Sequence, residues 1–134
     1  MRIVLDTSVA AAWALLEADD PATEEALNIV QKGSGLVPAL FWFELRNTLV
    51  VNERRERISQ SLTEAFLKAF SKFSIIVDTE PNEATVLTLA RQHGLTVYDA
   101  SYLELALRRE TPIATADRKL KRAALAAGVT VIGE

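Results

Sequence analysis

Ile3-Val4-Leu5-Asp6-Thr7-Ser8, followed by Val9-Ala10-Ala11-Ala12-Trp13-Ala14-Leu15-Leu16, is the stretch whose reading decides the fold. Three successive branched apolar residues suit a strand covered on both faces, as in a parallel sheet packed between helices. The run after Ser8 is rich in helix-forming Ala and Leu. The expected unit is therefore strand, short turn, helix, with one acid and two hydroxyls at the carboxyl end of the strand. In open α/β sheets that end is where sites are built. Asp6 taken alone has a plainer reading as a helix N-cap or turn residue, and Thr7 or Ser8 could cap as well.

Working outward, the same alternation continues. Asp20-Pro21 opens a helix that runs to about Lys32 and closes at Gly33, with Asp as N-cap and Pro at the first helical position. Leu36-Val37-Pro38 is a short strand, and a helix follows over about Leu40 to Arg54 with Phe41, Leu45, Leu49 and Trp42 as its apolar residues. Ser61-Leu62-Thr63-Glu64 has the form of a capping box, leading a helix whose Leu62, Phe66, Leu67, Phe70 and Phe73 fall at helical spacing. That aromatic stripe suits a core or a subunit interface better than a surface for bases. Ser74–Val77 is a third strand, and Asn82 to Gln92 a helix capped by Gly94. His93, the only histidine, then lies at a helix C-terminus, where it interacts with the dipole.

Leu95–Tyr98 is expected as a strand ending at Asp99, with a helix to about Arg109, and Pro112–Thr115 as a strand ending at Asp117. A helix to Ala127 and a last strand, Val129–Ile132, complete the chain. The expected fold is α/β: a three-layer α/β/α arrangement around a parallel, doubly wound sheet of about five strands.

Bulk properties narrow the function. A chain of 134 residues is expected to form a single domain, 1–134, with a real core. It contains no cysteine, which removes disulfides and thiolate metal sites and suits a reducing cytoplasm. No signal region stands at the start, and the longest apolar run, Leu36 to Phe43, is far too short to span a bilayer. A cytoplasmic protein without membrane contact is the expectation. The net charge of −3 argues against binding nucleic acid by bulk charge alone.

The chemistry lies in the acids. Asp6, Asp99 and Asp117 are each expected at a strand end, and Glu44 about one turn into the helix after the second strand. Asp99 and Asp117 could singly be N-caps, and Glu44 could be solvated on an outer helix face. As a set, all four converge on one rim of one sheet, with no His or Cys among them. Two unit charges about 4 Å apart repel by roughly 4 kcal/mol at an effective dielectric near 20. Such a cluster takes up protons or holds a cation. Oxygen-only donors favour Mg²⁺ or Mn²⁺ over zinc, and such ions can hold phosphate oxygens and orient an attacking water.

The chain resembles the PIN-domain nucleases, and more narrowly the toxin subunits of VapBC-type toxin–antitoxin pairs. The resemblance rests on Asp6-Thr7-Ser8; on Pro38 followed by Glu44 and Asn47; on Tyr98-Asp99-Ala100-x-Tyr102-Leu103-x-Leu105-Ala106; and on Thr115-Ala116-Asp117. It implies a metal-dependent endoribonuclease, neutralised by a cognate antitoxin and forming a homodimer. It makes Asp6, Glu44, Asp99 and Asp117 the acids of the metal site, with Thr115 and Thr7 or Ser8 as supporting hydroxyls. Some relatives carry a further acid and an aromatic two and three residues after the last Asp. Here Lys119 and Leu120 stand there, so no fifth acid comes from that position.

Basic residues gather at Arg46 with Arg54, Arg55 and Arg57, and at Arg118, Lys119, Lys121 and Arg122. Arg46 and the second group are candidates for holding RNA phosphates with little sequence information; a solvated helical face is the plainer alternative. Trp13 and Trp42 could stack on bases, but a place in the core is the plainer expectation.

Two rival classes fare worse. A dehalogenase-like phosphotransferase wants a second Asp two residues after the first, where Ser8 stands. A receiver-like module wants paired acids near the first strand and a lysine at a late strand end, and neither is seen. A housekeeping PIN nuclease without an antitoxin stays open.

Overall fold

The computed structural model describes residues 1–17 and 20–134. Its elements, in chain order, are β1 (Arg2–Leu5), α1 (Thr7–Leu15), α2 (Pro21–Lys32), β2 (Ser34–Pro38), α3 (Phe41–Arg54), α4 (Gln60–Phe70), β3 (Ile75–Asp78), α5 (Glu83–His93), α6 (Val97–Arg108), β4 (Ile113–Ala114) and α7 (Arg118–Ala126). The four strands form one sheet in the order β3-β2-β1-β4, and every pairing is parallel. Parallel neighbours need a crossover, and here each of the three crossovers is a pair of helices.

Ile3, Val4 and Leu5 are fully buried, because β1 is a central strand with a partner on each side and helices on both faces. Val4 aligns with Leu36 on one side and Ile113 on the other. Helices α1 to α4 pack among themselves, while α6 packs with α5 and α7, giving helical layers on either side of the sheet. Gly33 closes α2 and leads directly into β2. A Cβ there would collide with the Met1 carbonyl oxygen, so only glycine lets α2 end this close to β1.

An aromatic cluster of Trp13, Phe41, Phe66, Phe70 and Phe73, with ring centroids 5.6 to 6.3 Å apart, joins α1, α3 and α4. The core role of the aromatic stripe is thus borne out for Phe66, Phe70 and Phe73, although Leu62 faces outward. Trp13 packs against the core and donates its indole N–H to the Thr23 carbonyl at 3.0 Å. Trp42 does not belong to the core. It is 53% exposed, stacked beneath the Arg46 guanidinium at 3.8 Å and edge-on to Phe43.

Several local expectations are corrected. The hydroxyl that caps α4 is Ser59, which accepts from Leu62 N at 3.1 Å; Ser61 already lies inside the helix, and Glu64 accepts from Gln60 instead. Leu95–Tyr98 is not a strand. Gly94 takes the left-handed conformation that ends α5, and Thr96 caps α6 by accepting from Asp99 N at 3.0 Å. Two helices therefore follow one another, and a cap, not strand pairing, satisfies the backbone between them. The segment Val129–Ile132 contributes only an isolated parallel bridge, Val131 to Ile113. The sheet has four strands plus this bridge, where about five strands were expected.

The chain adds β2 and β3 on one side of β1 and then returns to place β4 on the other. The order reverses between β1 and β4, and an open parallel sheet leaves a crevice outside its carboxyl ends at such a switch point.

Candidate active site

Asp6 follows β1 directly and is the N-cap residue of α1, but its side chain makes no capping bond. The carboxylate turns instead to two hydroxyls. Ser8 Oγ donates to Oδ2 at 2.6 Å and Thr115 Oγ1 donates to the same oxygen at 2.8 Å. The proton positions follow from what each hydroxyl accepts. Ser8 Oγ accepts from Ala116 N at 2.9 Å, and Thr115 Oγ1 from Asp117 N at 3.0 Å. Each hydroxyl takes a backbone N–H from the turn after β4 and spends its single proton on Asp6. The expected helix start after Ser8 moves to Thr7, so both Thr7 and Ser8 lie in the first turn of α1.

Asp117 is the N-cap of α7, its Oδ1 accepting from Leu120 N at 2.9 Å. Asp99 is not at a strand end but in the first turn of α6, three residues after its cap. Glu44 stands in the first turn of α3. Its Oε1 accepts from Tyr102 at 2.6 Å and from Thr7 Oγ1 at 3.1 Å, and Thr7 Oγ1 and the Tyr102 hydroxyl lie 2.9 Å apart.

The four acids line one open cleft of about 300 Å³, together with Thr7, Ser8, Asn47 and Thr48. The electrostatics reflect the crowding. Burial raises Asp6 from 3.8 to about 6, aided by the charges of Asp99 and Glu44 and opposed by the Ser8 and Thr115 hydrogen bonds. Asp99 is also raised, by burial first and then by Asp117, with Thr96 and the Lys119 charge opposing.

Among the described residues no three acids stand close enough together to share one ion as the side chains lie. The donor set nevertheless suits a hard divalent cation. Asp6, Glu44 and Asp117 each commit one oxygen to the protein. Among the described residues, Oδ1 of Asp6, Oε2 of Glu44 and Oδ2 of Asp117 make no hydrogen bond. A cation placed among these oxygens would offset the mutual repulsion of the carboxylates.

The basic candidates divide. Arg118 and Lys119 are exposed at the start of α7, immediately beyond Asp117, and Lys119 is near enough to influence Asp99. Arg122 is also exposed, whereas Lys121 pairs with Glu134 at 3.5 Å. Arg46 is held over Trp42, donating to its carbonyl at 3.1 Å, and does not line the cleft. Sequence reasoning gave no role to Tyr102 or Asn47, although both stood in the quoted motifs. Each follows a cleft acid by three residues on the same helix, Asn47 after Glu44 and Tyr102 after Asp99, and that spacing was the available signal.

A family model, the PIN domain, matches residues 3–125. The chain belongs to the PIN-domain family. This PIN domain is similar to Ribonuclease VapC3 of Pyrobaculum aerophilum, 30% identical over 128 residues that span 90% of this chain and 92% of that protein. Its fold is similar to the crystal structure of PAE2754 from the same organism, with a TM-score of 0.72 and 24% identity over 92% of this chain and 84% of that one. It also resembles FitAcB from Neisseria gonorrhoeae, with a TM-score of 0.55 and 23% identity over 99% of this chain and 97% of that one.

Proposed function

We propose that residues 1–134 act as one PIN domain, a Mg²⁺- or Mn²⁺-dependent endoribonuclease toxin that hydrolyses RNA phosphodiesters and is inhibited by a cognate antitoxin. The observation that carries the reading is the cleft at the β1/β4 switch point, where four acids from β1's end, α3, α6 and the turn after β4 face one space. The similarity to a VapC ribonuclease over nearly the whole chain supports the same assignment.

In this reading Asp6, Asp99 and Asp117 hold the cation, and Glu44 either joins them or orients the attacking water. When bound, the divalent ion supplies Lewis-acid stabilisation of the phosphate and activation of water at neutral pH. The chain's own residues prepare the site. Ser8 and Thr115 fix Asp6 and favour its charged form, while the Thr7 and Tyr102 hydroxyls fix Glu44. Arg118 and Lys119 stand at the rim to receive phosphates flanking the scissile one, a contact that positions the strand without reading sequence. Arg122 extends that basic face, Lys121 joins it only by leaving Glu134, and Arg46 is the weakest of the five because Trp42 already holds it.

Attack by water leaves the 2′-hydroxyl unused, so the products carry 5′-phosphate and 3′-hydroxyl ends. Single-stranded or looped RNA fits an open cleft better than a duplex. An acidic cleft in a protein of net charge −3 is complementary to a basic plug, so the antitoxin is expected to place an Arg or Lys on these carboxylates. The exposed Trp42 and Phe43 offer apolar surface for a partner or for the second protomer of a homodimer. Action in the cytoplasm is part of this proposal; among the described residues no helix is long and apolar enough to cross a membrane.

End-group analysis of cleaved RNA tests the reaction, with EDTA and Asp99→Asn as controls. Cyclic phosphate ends, or cutting that persists in both controls, would exclude it. Host growth that is unaffected by overexpression of active protein, with no protein partner co-purifying, favours a housekeeping PIN nuclease instead.

A further inference from the structure

We infer that Tyr102 is a positioning residue for Glu44: its buried hydroxyl commits Glu44 Oε1 and leaves Oε2 as the oxygen presented to the cleft. The inference rests on the metal-dependent reading above and deepens it. Tyr102 is fully buried, and packing alone would be served by Phe. Its hydroxyl brings a desolvation cost that one short, charge-assisted bond to Glu44 offsets, at 2.6 Å.

A phenol has one proton, and the carboxylate oxygen, which only accepts, takes it. Thr7 Oγ1, buried as well, closes a triangle with both oxygens at 2.9 and 3.1 Å. Oε1 thus takes the Tyr102 proton outright and shares the single Thr7 proton with the Tyr102 oxygen, and a glutamate that would otherwise sample several rotamers is held in one. The same bond ties α6 to α3. Asp99 lies one turn before Tyr102 on α6, so the hydroxyl that fixes Glu44 also ties together the two helices that bring Glu44 and Asp99 to the cleft.

The test is Mn²⁺ binding to the full chain, followed by electron paramagnetic resonance of the free ion, for wild type, Tyr102→Phe, Glu44→Gln and the double variant. Tyr102→Phe is expected to melt within a few degrees of wild type and to bind Mn²⁺ about 10- to 100-fold more weakly, the usual effect of losing a residue that orients a ligand. On the Glu44→Gln background the same change is expected to add less than about twofold, since the group Tyr102 acts through has already lost its charge. In RNA cleavage the loss should fall on kcat, with KM for RNA little changed. Wild-type Mn²⁺ affinity in Tyr102→Phe overturns the inference, as does an equal loss on both backgrounds. Should Tyr102→Phe fold poorly, Thr7→Val opens the same triangle and must also weaken Mn²⁺ binding, or the inference falls. Absence of saturable Mn²⁺ binding by wild type overturns the metal-dependent reading itself, and this inference with it.

Discussion

The Thr115 hydroxyl donates to Oδ2 of Asp6 at 2.8 Å, across 109 positions of sequence. It joins the carboxyl ends of β4 and β1 at the point where the strand order reverses. The same oxygen accepts from Ser8, two residues along the chain, so Asp6 is held by one local hydrogen bond and by one that exists only when β4 has docked. Thr115→Val removes one donor at nearly constant volume. The expected result is a further rise of the Asp6 pKa and a 10- to 100-fold loss of cleavage, both restored by Thr115→Ser. NMR titration of the Asp6 carboxyl and a single-turnover assay check the two together.

Asp6 itself should lower the stability of the metal-free protein at neutral pH. Its folded pKa of about 6 lies above the unfolded value near 3.8, so the folded state binds the proton more tightly. Stability contributed by the protonated group is complete below the unfolded pKa and is lost as pH rises through about 6. The loss is about 3 kcal/mol for a shift of some two units. In EDTA, Asp6→Asn is therefore expected to be more stable than wild type at pH 7.5 and to lose that advantage by pH 4. Urea titrations at the two pH values measure it; equal stabilities at pH 7.5 would count against a buried, charged Asp6.

Capping and site chemistry can be separated at Asp117. Its Oδ1 caps α7, and Asn caps about as well as Asp. Asp117→Asn should change stability by under about 0.5 kcal/mol while reducing cleavage at least 100-fold, whereas Asp117→Ala should cost about 1 kcal/mol as well. A fully active Asn variant would reduce Asp117 to a helix cap.

Acid stability has a different origin. Asp78, at the end of β3, accepts from Arg108 at 2.8 and 3.0 Å and from Arg109 at 3.0 Å. Buried Glu104 holds Arg108 from the other side at 2.7 Å. Hydrogen bonds from Arg108 bring Asp78 down to about 2, against the opposing effect of burial. A depressed carboxyl contributes stability that is present above its unfolded pKa and is lost as pH falls toward the folded one. About 2 kcal/mol should therefore disappear between roughly pH 4 and pH 2. Asp78→Asn should be less stable than wild type at pH 6 and should show a shallower fall over that window in denaturation curves.

Local chemistry alone determined much of this protein. The apolar run Ile3–Leu5, the Asp20-Pro21 helix start and the Gly94 helix end each depend on neighbours within a few residues, and each stands as read. Asp6 and Asp117 were also legible, since a strand followed at once by Asp-Thr-Ser and a late Thr-x-Asp place carboxylates on one rim of a parallel sheet. Tertiary structure decided what depends on distant partners. Leu95–Tyr98 has strand-like composition, but Thr96 caps α6 and α5 packs directly on α6, so Asp99 enters the cleft from a helix. Val129–Ile132 is a strand by propensity and a single bridge in fact, because β4 pairs over only two residues and gives it little edge to join. The Ser59 cap displaced the Ser61 box, two serines two residues apart offering equal chemistry. Tyr102 was legible as a motif letter but not as a partner of Glu44, 58 positions away. Hydrogen bonds of that span exist only once α6 and α3 have packed, and no local propensity encodes them.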